Sequence, residues 1–335
     1  MGGEQSTRRH PIRVSPQHDP KTVLIALQIL SWLHSLRPES GVRKHAPRPL
    51  YVCISGPQGA GKTSLTNGLH RILSSPPFSL KLAFLSLDDV YLSYEDQLAL
   101  SKAHPDNLLL QFRGDPGTHD LPLAISTFQA IQDKTSQALR NPRTDVKDLT
   151  VSLPAYEKSA HQGRGDRAPE SMWPRVTCPV DIVIFEGWMA GFRALDDDEL
   201  CQAYKASCDD TNGHSRRYPL EHLSVLNEEL KVYEKTLWKW FDCFVHIDAE
   251  DYNFSYVWRK QAEDEMKAKG KAGMTDEQIK DFVDRFMPFN ELCLPRLRRE
   301  GFFGNNSGKV ADGFEGRHLQ VTINIARKMT GHRLI

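Results

Sequence analysis

The sequence predicts an α/β fold, a five-stranded parallel sheet with helices on both faces and a helical lid. Three observations carry this. Five short apolar runs recur at 50–55, 80–87, 181–185, 243–247 and 319–325. Long segments of helical periodicity separate them, and the first run passes directly into the glycine-rich stretch 56–65, GPQGAGKTSL. Parallel strands buried on both faces read as unbroken apolar runs, and the spacing leaves room for crossover helices. Ligands of such sheets gather beyond the carboxyl ends of the strands, so the residues closing each run are the ones that bear on function.

In the first run, Tyr51, Val52, Cys53 and Ile54 form a short buried strand, and after it Leu65, Leu69 and Ile72 recur at helical spacing. Between them lies G-x-x-x-x-G-K-[ST], the P-loop pattern in its required strand-to-helix context, which predicts a P-loop NTPase fold. Gly56, Pro57, Gln58, Gly59, Ala60, Gly61, Lys62, Thr63 and Ser64 are the candidate nucleotide-binding residues. Gly56, Gly59 and Gly61 let successive backbone N–H groups turn inward around a phosphate. Lys62 brings charge to the β- and γ-phosphates, Thr63 offers a hydroxyl to Mg²⁺, and the following helix adds its N-terminal dipole. ATP with Mg²⁺ is the expected ligand pair.

The second run ends in Asp88 and Asp89, and the third in Glu186. An acid closing a strand beside a P-loop is placed to join the Mg²⁺ shell, the role expected of Glu186. Asp88 is then the candidate general base for an attacking hydroxyl, which points to a kinase. Alternatively, Asp88 and Asp89 cap a following helix.

Two polar stretches lie outside the regular pattern, FRGDPGTHD at 112–120 and LPAYEKSAHQGRGDRAP at 153–169. Both read as loops, where binding residues concentrate. Their Arg and Lys side chains, Arg167 among them, suit an anionic acceptor, although solvated loop charge is the alternative. The candidate acceptor-binding residues are Asp89, Tyr91, Arg113, His119, Asp120, Tyr156, Lys158 and Arg164. Residues 256–288 read as a helix broken at Gly270 and Gly273, then a second helix capped by Thr275 or Asp276 ahead of Ile279, Phe282 and Val283. Such a pair forms a cationic lid with Arg259 as its catalytic candidate. The alternative is that Arg259 and Lys260 solvate a helix face.

The 335 residues, 39% hydrophobic, are enough for one large domain or two modest ones. Their 43 basic and 43 acidic side chains balance, which argues against nucleic acid or a membrane surface as partner. Six cysteines without a C-x-x-C pair suggest neither zinc nor a disulfide framework and fit a reducing compartment, the cytoplasm. Residues 1–46 are expected to be an N-terminal extension, a disordered tail plus an amphipathic helix at 23–36, with the kinase domain at 47–335. The start fits the myristoylation pattern at Gly2 and Ser6, but one acyl chain without a second anchor holds only marginally. Residues 196–217, polar and low in hydrophobics, read as a surface loop.

Taken together, GPQGAGKTSL, LSLDDVYL, RGDPGTHDLPL, LPAYEKSAHQGRGDR, VIFEGWMAGF and the stretch 258–288 resemble the D-glycerate 3-kinase family of plants and its fungal homologues. That family sits within the P-loop kinases that include uridine kinase, pantothenate kinase and phosphoribulokinase. The resemblance runs from about residue 48 onward. It implies that Asp88 is the general base, that Glu186 belongs to the Mg²⁺ shell, and that ATP phosphorylates the 3-hydroxyl of D-glycerate to give 3-phosphoglycerate. One departure is Val90, in DDVY, where family members often carry phenylalanine. The chain lacks the N-K-x-D motif of a GTPase and the L-S-G-G-Q-like signature of a transport ATPase. A nucleoside or pantothenate kinase shares the base and the lid. A non-catalytic ATP-binding regulator would have no need of Asp88 and Glu186.

Overall fold

The structure, a computed structural model, describes residues 19–37, 48–270, 273–305 and 309–335. The motif at Gly2 and Ser6 and the polar tail lie outside the described residues. In chain order the elements are α1 (Pro20–Leu36), β1 (Leu50–Ser55), α2 (Lys62–Leu73), β2 (Leu82–Ser86), α3 (Tyr94–Ala103), α4 (Leu121–Arg140), β3 (Thr150–Ser152), β4 (Tyr156–Glu157), β5 (Asp166–Arg167), β6 (Arg175–Thr177) and β7 (Ile182–Gly187). There follow α5 (Asp197–Asp209), α6 (Leu220–Thr236), β8 (Cys243–Ala249), α7 (Phe254–Ala268), α8 (Asp276–Asp284), α9 (Met287–Glu300), β9 (His318–Ile323) and β10 (Met329–Leu334).

The five apolar runs form β1, β2, β7, β8 and β9, all parallel, in a sheet ordered β10-β9-β8-β1-β7-β2. Because β1 lies between β7 and β8, its carboxyl end is flanked by two strands that follow it late in the chain. Alternation along β1 divides the core. Leu50, Val52 and Ile54 pack with α1, α2 and Trp258 on one face, while Tyr51 and Cys53 pack with Phe128, Leu230 and Phe289 on the other. The α1 helix is fully engaged in the first of these layers, burying Ile25, Ala26, Ile29 and Trp32.

Three expectations are corrected. The sheet has a sixth strand, β10, antiparallel to β9. As an edge strand it keeps only Met329 and Gly331 half-buried, so MTGHRL carries no apolar run. Residues 196–217 are not a surface loop but α5 and a 3₁₀ turn. Asp196 caps α5 in a reciprocal pair with Glu199, and the segment docks through polar contacts. Glu291 accepts from the Ser215 amide at 2.7 Å, the His214 amide at 3.0 Å and the Ser207 hydroxyl at 3.1 Å. The segment's apolar anchors, Leu200 with Ala203 and Tyr204 against the main core, are too few to stand out in a polar stretch. Likewise 153–169 is not wholly loop, since β4 and β5 pair as a short hairpin.

The helix pair α7 and α8 forms where the lid was expected, with Thr275 as the cap of α8 in a reciprocal pair with Gln278. No helix among the described residues is long and apolar enough to cross a membrane. All six cysteines are free.

Candidate active site

A cleft of about 1800 Å³ opens at the carboxyl ends of β1, β2 and β7. Its first wall is the turn from β1 into α2. Gly59 and Gly61 take left-handed φ values of 80° and 87°, which glycine adopts freely. A Cβ on Gly59 would also lie 2.4 Å from Trp258 Cβ. Gly56 has an ordinary φ and is needed for space alone, because its Cβ would stand 2.9 Å from Ile247 Cβ. Gln58, Gly59, Ala60, Gly61, Lys62, Thr63 and Ser64 line the cleft, with Gly56 and Pro57 behind them.

Lys62 Nζ donates to the carbonyls of Gly56 at 2.7 Å and Pro57 at 3.3 Å and lies 4.0 Å from Glu186 Oε2. The parallel register that pairs Ile54 with Glu186 brings this acid to the P-loop. Burial lowers the pKa of Lys62, and the carboxylates of Glu186 and Asp88 oppose that pull.

At the end of β2, the two aspartates separate. Ser86 caps the 3₁₀ turn Leu87–Val90, and Asp89 Oδ2 completes a capping box by accepting from the Ser86 amide at 3.0 Å. Asp89 is thus the capping acid, although it still touches the cleft. Asp88 turns its carboxylate into the cleft, accepting from Tyr91 Oη at 2.8 Å and from Lys158 Nζ at 2.5 Å. Burial alone would raise the Asp88 pKa, but the Lys158 charge and hydrogen bond, the Tyr91 hydrogen bond and Lys62 together bring it below the usual value. Asp89 moves the other way, to about 6, driven first by burial and then by the neighbouring Asp88 charge.

The opposite wall is assembled from distant segments. Tyr91 stacks on His119 with centroids 4.6 Å apart and meets the edge of Tyr156 at 5.4 Å. His119 Nδ1 pairs with Tyr233 Oη at 2.7 Å, and burial lowers its pKa to about 3, so it is neutral. Asp120 caps α4 through the Leu123 amide at 2.9 Å and binds Arg167 at 2.7 Å. Of the acceptor candidates, His119, Asp120 and Tyr156 therefore support the wall from behind, while Asp89, Tyr91, Arg113, Lys158 and Arg164 line it.

Arg113 acts chiefly on the hairpin. Its guanidinium donates to the carbonyls of Gly163 at 2.8 Å, Lys158 at 3.3 Å and Arg164. Arg164 donates to the Gln111 carbonyl at 2.9 Å and lies 4.9 Å over the Phe112 ring. Arg285, at the end of α8, lies 4.2 Å over the same ring. Sequence reasoning missed Arg285, because an arginine at the end of a charged helix, paired with Asp281 one turn back, gives no local signal of facing a cleft. It also missed Arg327, on the turn between β9 and β10, whose Nε donates to the Gly59 carbonyl at 2.6 Å. Its left-handed φ of 59° is visible only in the folded chain. Arg259 lines the cleft from α7, paired with Glu263 and 4.6 Å over Phe282.

A deep cleft with a phosphate-cradling turn, an acid beside it and a second carboxylate across from it suits transfer of a phosphoryl group to a small hydroxyl compound. No family model matches the chain. It is 37% identical over 262 residues to the chloroplastic D-glycerate 3-kinase of Arabidopsis thaliana, covering 78% of this chain and 51% of that protein. The chain thus spans about half the length of that relative. It is 34% identical over 262 residues to the probable ATP-dependent kinase TDA10 of Saccharomyces cerevisiae, covering 77% of this chain and 82% of that one. The solved D-glycerate 3-kinase of Cryptococcus neoformans var. grubii superposes with a TM-score of 0.80 at 35% identity, over 95% of this chain and 100% of that one. On identity, coverage and fold alike, the chain belongs to the D-glycerate 3-kinase family of P-loop kinases.

Proposed function

We propose that the chain is an ATP-dependent kinase that phosphorylates the 3-hydroxyl of D-glycerate to give 3-phosphoglycerate. The observation that carries this is the Asp88 carboxylate, turned into the P-loop cleft and set among Lys62, Lys158 and Tyr91. The relatives' names supply the acceptor, and the cationic side chains of the second wall suit its carboxylate.

In this mechanism the P-loop amides and Lys62 hold the triphosphate, and Asp88 takes the proton of the attacking hydroxyl as it bonds to the γ-phosphorus. Arg259, on the lid helix α7, neutralises charge on the transferred group. Thr63 and Glu186 offer the hard oxygen donors that Mg²⁺ prefers and would hold it beside the phosphates, where it would supply positive charge to their oxygens. We take 47–335 as the catalytic unit, with α1 a helix of the N-terminal extension docked onto it. Free cysteines and balanced charge support a cytoplasmic enzyme whose partner is a small anionic hydroxy acid rather than nucleic acid or membrane.

The test is ATP consumption by the purified protein with Mg²⁺ against D-glycerate, L-glycerate, pantothenate, uridine and ribulose 5-phosphate. Selective turnover with D-glycerate is expected. Turnover with another acceptor only would retain the chemistry and replace the substrate, and silence across the panel would sink the proposal.

A further inference from the structure

The two oxygens of the Asp88 carboxylate already have donors. Oδ1 accepts from Tyr91 Oη at 2.8 Å and Oδ2 from Lys158 Nζ at 2.5 Å. A carboxylate held by two donors, one of them cationic, is a poor proton acceptor, so the proposed base is masked.

The two donors differ in their freedom to leave. Tyr91 is 5% exposed and fixed between the rings of His119 and Tyr156, with His119 itself held by Tyr233. The Lys158 side chain is 57% exposed. It projects from the β4–β5 hairpin, whose backbone Arg113 pins at the carbonyls of residues 158, 163 and 164. The ammonium can therefore swing on its stem without any movement of the loop.

We propose that Lys158 is a gate on the general base that an anionic acceptor opens. It covers Asp88 Oδ2 when no acceptor is present and passes to the acceptor's carboxylate on binding, leaving Oδ2 to receive the hydroxyl proton. This deepens the kinase assignment and rests on it. An ion pair whose ammonium is this exposed is weak, so a second carboxylate arriving within reach competes on even terms. A small hydroxy acid carries its carboxylate only a few bonds from its hydroxyl, so one lysine stem spans both positions. Water brings no charge and cannot draw the ammonium away.

The consequence is discrimination against hydrolysis. In productive transfer the acceptor oxygen bonds to the γ-phosphorus while the bond from that phosphorus to the β,γ-bridging oxygen breaks. Its electron pair leaves on ADP, and the acceptor's proton goes to Asp88. With water as nucleophile the same bonds change and ATP is lost to phosphate, the outcome that a masked base suppresses.

The experiment measures acceptor-free ATP hydrolysis, together with kcat and KM for D-glycerate, in the full chain with ATP and Mg²⁺. Wild type, Lys158→Met and Lys158→Arg are compared. Removing the ammonium is expected to raise acceptor-free hydrolysis by about tenfold or more, a fraction of what a general base contributes. It should also raise the acceptor KM by about tenfold, the loss of one charged hydrogen bond. Arginine, which keeps the cation, is expected to restore low hydrolysis, and that rescue separates the gate from a merely structural side chain. If Lys158→Met raises KM but leaves hydrolysis at the wild-type level, Lys158 is an anchor and the gate is overturned while the kinase assignment stands. If hydrolysis and transfer fall together, the gate is likewise overturned. Raised hydrolysis in Lys158→Met, with wild type transferring only to a different anionic acceptor, would keep the gate and replace D-glycerate.

Discussion

The two walls of the cleft are built on opposite plans. The nucleotide wall is one short stretch, residues 56–64, whose backbone does much of its work and whose conformation follows from local glycines. The proposed acceptor wall draws Asp88, Arg113, Lys158 and Arg285 from four separated segments, and each side chain meets a partner remote in the chain. A wall made of backbone is specific for what every nucleotide shares, its phosphates. A wall made of converging side chains can be altered one residue at a time, and it is there that we place acceptor choice.

Asp88→Asn tests that division most sharply. It should lower the rate of transfer by about 10²–10⁴, the usual contribution of a general base, and leave ATP affinity nearly unchanged. Single-turnover rates set beside calorimetric ATP titration read both quantities, and near-normal turnover would remove Asp88 as the base. Lys62→Ala should instead damage both functions of the nucleotide wall. ATP affinity is expected to fall by about 10–100-fold with turnover falling alongside, as befits loss of a charged hydrogen-bond donor. Affinity that held steady would mean the backbone cradle suffices alone.

Arg113→Ala is expected to raise the acceptor KM by about tenfold without touching ATP binding. Arg113→Lys should not restore it, because a single ammonium cannot reproduce the fork that reaches three carbonyls. Steady-state kinetics in both substrates would show this, and full rescue by lysine would turn Arg113 into a simple charge.

The smallest effect concerns Asp89. Its pKa is about 6 in the folded chain against an ordinary 3.8. Between those values the folded state keeps a proton that the unfolded chain releases, so this residue's contribution makes stability fall as pH rises from about 4 to 6, then level off. Urea unfolding across that range should show a slope in wild type that Asp89→Asn reduces. An equal slope in both proteins would place the titration elsewhere.

How much of this was legible depends on what each feature is made of. The P-loop and five parallel strands could be read directly, because spacing and apolar runs are local properties. So could the position of Asp88 and Glu186, each closing a strand. The sixth strand could not, since an exposed edge needs no apolar run, nor could α5, a largely exposed helix held by Leu200 in the core and by the Ser207 hydrogen bond to Glu291. Lying in a polar stretch was no guide to facing the cleft either. His119, Asp120 and Tyr156 sit behind the wall that Arg113 and Lys158 line.

The sequence by itself determined the scaffold and the phosphate cradle, because periodicity, glycine conformation and strand ends are set by residues near one another in the chain. Only the tertiary structure decided that Asp89 spends its carboxylate on capping the turn while both oxygens of Asp88 are held by Tyr91 and Lys158, and which arginines are struts. Those outcomes depend on charges and hydrogen bonds between segments that folding alone brings within reach.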